Sequence, residues 1–179
     1  MAETKLRKRS EIPEEYKWKL EDMYETDELW EEEADKLAKL GDEMAQFQGK
    51  LGESASNLLA FMKKKDEISY YIARVIVYSN QRSHQDTAVT KYQGYVAKAE
   101  SVAVGVSSAL AFADPEILSI DAEKMEKFYS DEPELLNYKR VIDEIMRKKA
   151  HTLSEPEEKI LAAAGEMTSA PDNIFSMFN

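Results

Sequence analysis

Cysteine is absent from the 179 residues, histidine occurs only at positions 84 and 151, and glycine and proline are sparse at six and five. Without a thiol there is no disulfide frame, no thiolate nucleophile and no cysteine-ligated zinc, and the absence fits a reducing compartment. So few turn-forming residues argue against a fold made of many tight β-turns. No apolar run approaches the ~18 residues of a membrane span, and the N-terminus lacks the apolar region of a secretory signal, so the expectation is a cytoplasmic chain with no membrane contact. Bases are outnumbered 24 to 35, for a net charge of −11. Such a surface repels a phosphate backbone, which excludes nucleic acid as the expected partner.

What is present is the composition of long helices. Apolar residues make up 43% of the chain, enough for one continuous core, while 33% are charged and can coat helix surfaces. The only basic cluster, Lys5, Arg7, Lys8 and Arg9, reads as a solvated, disordered tail over residues 1–9, with a helical domain over 10–179. The expected fold is all-α, a bundle of about seven helices with an extended N-terminal arm.

Residues 10–26 form that arm, with short helical turns, and carry Ile12, Tyr16, Trp18, Leu20 and Tyr24, large groups expected to dock on the helices. Thr26 is an N-cap signal with Asp27 and Glu28 in the first turn. The stripe Trp30, Ala34, Leu37, Gly41 and Met44, widened by Leu40, Phe47 and Leu51, has the three-and-four spacing of a helix burying a broad face. Ser54 or Ser56 caps a helix carrying Leu58, Leu59, Phe61 and Met62, and the charged run from Lys63 to Glu67 reads as a solvated turn after it. Ile68–Tyr78 is rich in β-branched and aromatic residues, yet a lone strand among helices has nothing to pair with, so it reads as a buried helix with apolar side chains around its axis. Asp86 or Thr87 opens a helix with the stripe Tyr92, Val96, Ala99, Ala103, Val106 and Leu110. Asp114-Pro115-Glu116 and Asp131…Pro133-Glu134 carry helix-start signatures, Asp121 opens a short helix, and Ser154 with Glu157 makes a capping box.

Catalytic motifs are missing. Two histidines 67 positions apart cannot form the H-E-x-x-H helix that sets two imidazoles and a base on one face, and no phosphate-cradling glycine loop or G-x-S-x-G elbow occurs. Catalytic and metal-ligating residues are therefore expected to be none. His151 is more readily a helix-terminal base than a reacting imidazole, and a hydrolase built on it with a nearby carboxylate is the weakest reading. Tyr78, Arg82 and Asp86 follow one another at steps of four and share a helix face that either contacts a ligand or neighbouring domain or is an ordinary surface ladder.

RSEIPEEYKWKLEDMYETDELWEEE, VIVYSNQRSHQDT, SALAFADPEIL and LLNYKRVIDEIMRKKAHTLSEPEEKILA together resemble, in order, the N-terminal part of the oligoendopeptidase F proteins, zinc metallopeptidases related to thimet oligopeptidase. The resemblance implies a non-catalytic helical domain lying over a deep channel that admits short peptides, with zinc held in a C-terminal catalytic domain. It makes that domain and oligopeptides the expected partners, Tyr78, Arg82, Asp86 and His151 the candidate channel or domain contacts, and the isolated chain an inactive fragment prone to self-association. A reading from another class is a free-standing helical module that binds proteins or peptides.

Overall fold

The computed structural model describes residues 9–149 and Pro171. The tail before Arg9, His151 and the Ser154–Glu157 capping box lie outside the described residues. The described residues contain six α-helices, with short 3-10 turns and no strand, so the fold is all-α, with six helices among the described residues where about seven were expected of the whole chain.

The arm makes 3-10 turns at Arg9–Glu11, Glu14–Tyr16 and Leu20–Asp22. Leu20 and Tyr24 dock, but Tyr16 and Trp18 do not: they are 74% and 82% exposed. Helix α1, Asp27–Glu43, begins where Thr26 Oγ1 accepts from the Leu29 amide at 3.4 Å, and continues into a 3-10 turn at Met44–Phe47. Its predicted stripe is buried from Trp30 through Met44.

Helix α2, Ala55–Gln85, is 31 residues long and starts at Ser54, whose Oγ accepts from the Asn57 amide at 3.1 Å. The expected break at Lys63–Glu67 does not exist. Lysine and glutamate propagate helices well and the single Asp66 costs little, so the exposed and half-buried run continues the helix between buried Met62 and buried Ile68. Two expected helices are thereby one. Nor is Ile68–Tyr78 buried all round: Ile68, Val75 and Tyr78 are, while Tyr70 and Val77 face solvent.

The next helix, α3, Thr90–Ala109, starts later than Asp86 or Thr87 suggested and has no side-chain cap. Asp86 instead accepts from the Ala88 amide at 3.0 Å in the connecting turn, a local bond that competes with helix formation. Helix α4, Ala113–Ser119, is entered from Phe112 with Asp114 and Pro115 already inside it; proline is tolerated there because first-turn amides have no helical partner. Asp121 caps α5, Ala122–Asp131, through the Lys124 amide at 2.7 Å. Pro133–Tyr138 then forms a 3-10 turn rather than the expected α-helix start. These elements belong to a compact unit ending at Tyr138; a second begins at Lys139 and contains α6, Lys139–Lys148, whose buried residues are Ile142 and Ile145. By length and composition alone the stretch Thr90–Ser119 would suffice to cross a membrane, although the helix is interrupted between Ala109 and Ala113.

In the first unit α1, α2 and α3 pack on one another. The Trp30 ring stacks on Tyr95 of α3 at 4.1 Å and lies 6.5 Å from Tyr78 of α2, while its indole N–H donates to the Val75 carbonyl at 2.9 Å. Further along, Phe61 meets Phe47 and Phe112, both at 5.8 Å. Aromatic area at both places holds the helices together, since each such ring removes a large apolar surface from water.

Candidate functional site

The first turn of α1 places the Asp27 carboxylate against the late turns of α2 and the start of α3. Tyr78 donates to its Oδ1 at 2.8 Å; Lys91 and Tyr92 donate to its Oδ2 at 2.8 and 3.1 Å. Arg82, one turn beyond Tyr78, donates through Nε to the Tyr78 hydroxyl at 3.0 Å, and its Nη2 reaches Glu21 of the arm at 3.1 Å. Arg82 Nε also lies 3.8 Å from Asp27. The guanidinium stands 5.1 Å from the Tyr78 ring centre and 5.7 Å from that of Tyr92, an attraction between cation and ring face. Two carboxylates thus meet two bases, and the arm and all three long helices are tied at one place.

Burial by itself raises the Asp27 pKa, but hydrogen bonds from Lys91 and Tyr78 outweigh it and hold the carboxyl below its ordinary value. Burial pushes Tyr78 up to about 12, partly opposed by Arg82. The Asp27 hydrogen bond raises Lys91. Tyrosine therefore stays neutral and Asp27 ionised at neutral pH. A charged carboxylate whose two oxygens accept from three donors is committed to its neighbours. The cluster fixes geometry and offers no poised base.

Of the residues marked in the sequence, Tyr78 and Arg82 come together here. Asp86 does not join them, because it ends α2 and turns to the Ala88 amide. His151 lies outside the described residues. Asp27, Lys91 and Glu21 were missed as site residues: Asp27 carries the signal of a first-turn dipole partner, and its contacts come from 51 to 65 positions away, where no local spacing points.

A second tie lies beside it. Arg74 donates to the Met23 carbonyl at 2.8 Å, lies 4.7 Å from the Tyr24 ring centre and 3.6 Å from Glu33, to which the Tyr24 hydroxyl donates. A third holds the loop before α2: Glu116 of α4 accepts from the amides of Gly49 and Leu51, the latter at 3.2 Å. Gly49, at φ 80°, needs the left-handed backbone that glycine adopts without a Cβ clash.

Open clefts surround this framework. One of about 380 Å3 lies between arm and α2, lined by Trp18, Glu21, Arg82 and Gln85. Another of about 530 Å3 lies along α2 and α3, lined mostly by apolar groups. Among the described residues no three acidic or histidine side chains converge as metal ligands. A zinc ion therefore does not fit the described part.

A family model described as "Oligopeptidase F" matches residues 116–179. The chain is 37% identical over its whole length to Oligopeptidase PepF of Bacillus subtilis, and 37% identical over 96% of its length to the plasmid oligoendopeptidase F of Lactococcus lactis subsp. cremoris. It spans 27% and 29% of those two relatives. Among solved structures, oligoendopeptidase-F from Enterococcus faecium matches 86% of the chain at a TM-score of 0.71 and 29% identity, with 29% of that structure covered. A putative peptidase from Chlamydophila abortus shares the fold over 96% of the chain at a TM-score of 0.74 and 20% identity.

Proposed function

We propose, on the premise that this chain belongs to the oligoendopeptidase F family as its N-terminal helical part, that it walls and gates the substrate channel of a zinc-dependent peptidase acting on short peptides. The observation that carries this reading is the similarity along the whole chain to about a quarter of much longer peptidases. The framework is consistent with that division of labour. A wall that sorts peptides by size must resist deformation, and the ties of Asp27, Arg74 and Glu116 fix arm, loop and helices at separate places. Their polar groups are engaged with one another and leave no nucleophile paired with a base among the described residues. The chemistry then belongs to the C-terminal catalytic domain, where zinc would supply the Lewis acid and the activated water.

The test is peptide cleavage. The purified chain, assayed on fluorogenic oligopeptides with and without added zinc, is expected to be inactive; joined to the C-terminal part of the Bacillus subtilis relative, it is expected to support cleavage that a chelator abolishes. Chelator-insensitive cleavage by the chain alone, lost on His151→Ala, would overturn the reading and place a hydrolase within these 179 residues.

A further inference from the structure

One third of this chain is charged, yet from Ser101 to Ala113 not one residue ionises. In a core helix that would be ordinary, but this stretch lies on the surface. Ser101, Val104, Gly105, Ser107, Ser108 and Ala111 are exposed, Val104 at 65%, and only 17% of the apolar window in Thr90–Ser119 is buried. Beside it runs the groove of about 530 Å3, lined by Ile72, Ala103, Val106 and Leu110, with Lys65 and Asp114 as its charged members. The outward side of α3 therefore presents a charge-free stretch beside a mostly apolar furrow to solvent, the pattern that marks an interaction site rather than scattered apolar residues.

The glycines on this face are not explained by the described residues. A Cβ at Gly94 or Gly105 would meet nothing among them within 4 Å, so no described element packs closely enough to require a glycine at either place. Each nonetheless costs the helix about 1 kcal/mol relative to alanine. At 100° per residue Gly94, Ala97, Ser101, Gly105 and Ser108 fall within about 80° of one another, where small side chains let another backbone come close.

We infer that the outward face of α3 and its groove are the surface on which the C-terminal part of the longer oligoendopeptidase polypeptide packs. This rests on the proposed function. The occupant follows from two observations. The curated relatives carry more than two thirds of their length outside the matched part, so an intramolecular partner is at hand and need not overcome the entropy of bringing two molecules together. A second copy of this chain would bring another net −11 and its long-range repulsion. The partner surface is apolar, because a charge set against Ser101–Ala113 would lose its water without gaining an opposite charge.

The absence of cysteine makes the test direct. Val104→Cys places a single thiol on the face, and Lys127→Cys, on the exposed side of α5, serves as control. Maleimide labelling is followed in the chain alone and in the chain joined to the C-terminal part of the Bacillus subtilis relative. The expected result is labelling of Cys at 104 at least about tenfold slower on joining, with the control changed less than about twofold. Equal rates at 104 in the two forms overturn the inference whatever the activity of the joined protein, which reports separately on the proposed function. Protection in the chain alone that grows with its concentration assigns the face to a second copy, and protection by phosphatidylcholine vesicles assigns it to a lipid surface; either outcome also overturns it.

Discussion

Gly41 of α1 lies so close to Val106 of α3 that a Cβ on Gly41 would sit 3.0 Å from Val106 Cγ2 and 3.4 Å from its Cα. The two helices approach here with no room for a side chain. Gly41→Val is therefore expected to destabilise the chain by about 1–3 kcal/mol through overpacking, and Val106→Ala in the same chain to recover part of the loss. Gly105→Ala, with open space around its Cβ, is expected to stabilise by up to about 1 kcal/mol. Urea unfolding followed by circular dichroism checks all three; a wild-type midpoint for Gly41→Val would rule out this contact.

The continuity of α2 through Lys63–Glu67 gives a sharp prediction. Glu67 is exposed and pairs with Lys64, at 2.9 Å, one turn earlier, an exposed contact whose contribution is small. Glu67→Pro should still cost about 3 kcal/mol, because proline removes a helical hydrogen bond and clashes with the carbonyl four residues back. Were the run a turn, the thermal midpoint would hardly move.

Titration of the Asp27 cluster has a defined sign. Asp27 has a depressed pKa in the folded chain, so its contribution is fully present above the unfolded value near ~3.9 and is lost as pH falls through the folded pKa. The stability gap between wild type and Asp27→Asn should therefore be constant near neutrality and close below about pH 4. Tyr78 titrates in the opposite direction: raised to about 12 by burial, it contributes below its unfolded value near ~10, and that contribution is lost as pH rises through about 12. Tyr78→Phe should abolish its share of the alkaline loss and, at neutral pH, cost about 1–3 kcal/mol by leaving Asp27 and Arg82 short of a partner. Thermal melts across pH decide; a gap between wild type and Asp27→Asn that widens on acidification would contradict the assignment.

Glu116→Ala leaves the amides of Gly49 and Leu51 without their carboxylate. Hydrogen bonds to a charged group contribute about 1.5–3 kcal/mol each at most, less where solvent can replace them. A loss of about 1–2 kcal/mol is expected, together with faster amide exchange confined to residues 48–54. Unchanged exchange at Leu51 would show that the loop holds itself.

The sequence by itself determined the helical class, the α1 stripe from Trp30 to Met44 and the caps at Thr26 and Asp121, and narrowed the cap of α2 to Ser54 or Ser56, because apolar spacing and capping act over one or two turns and leave a local pattern. It also placed Tyr78 and Arg82 on one face of α2, a relation of four residues. Where two local signals competed, the sequence pointed the wrong way: the charged run read as a turn but coats a helix, and Asp114-Pro115 read as the start of α4 but lies within its first turn. Tertiary structure decided those cases, because buried Met62 and Ile68 on either side of the run are fixed by the rest of the core. It alone brought Asp27 to Tyr78, Lys91 and Tyr92, and Glu116 to Gly49, across 51 to 67 positions. It alone left Trp18 and the charge-free face of α3 in solvent, since the side of an apolar helix that meets water is set by which neighbours arrive to cover it.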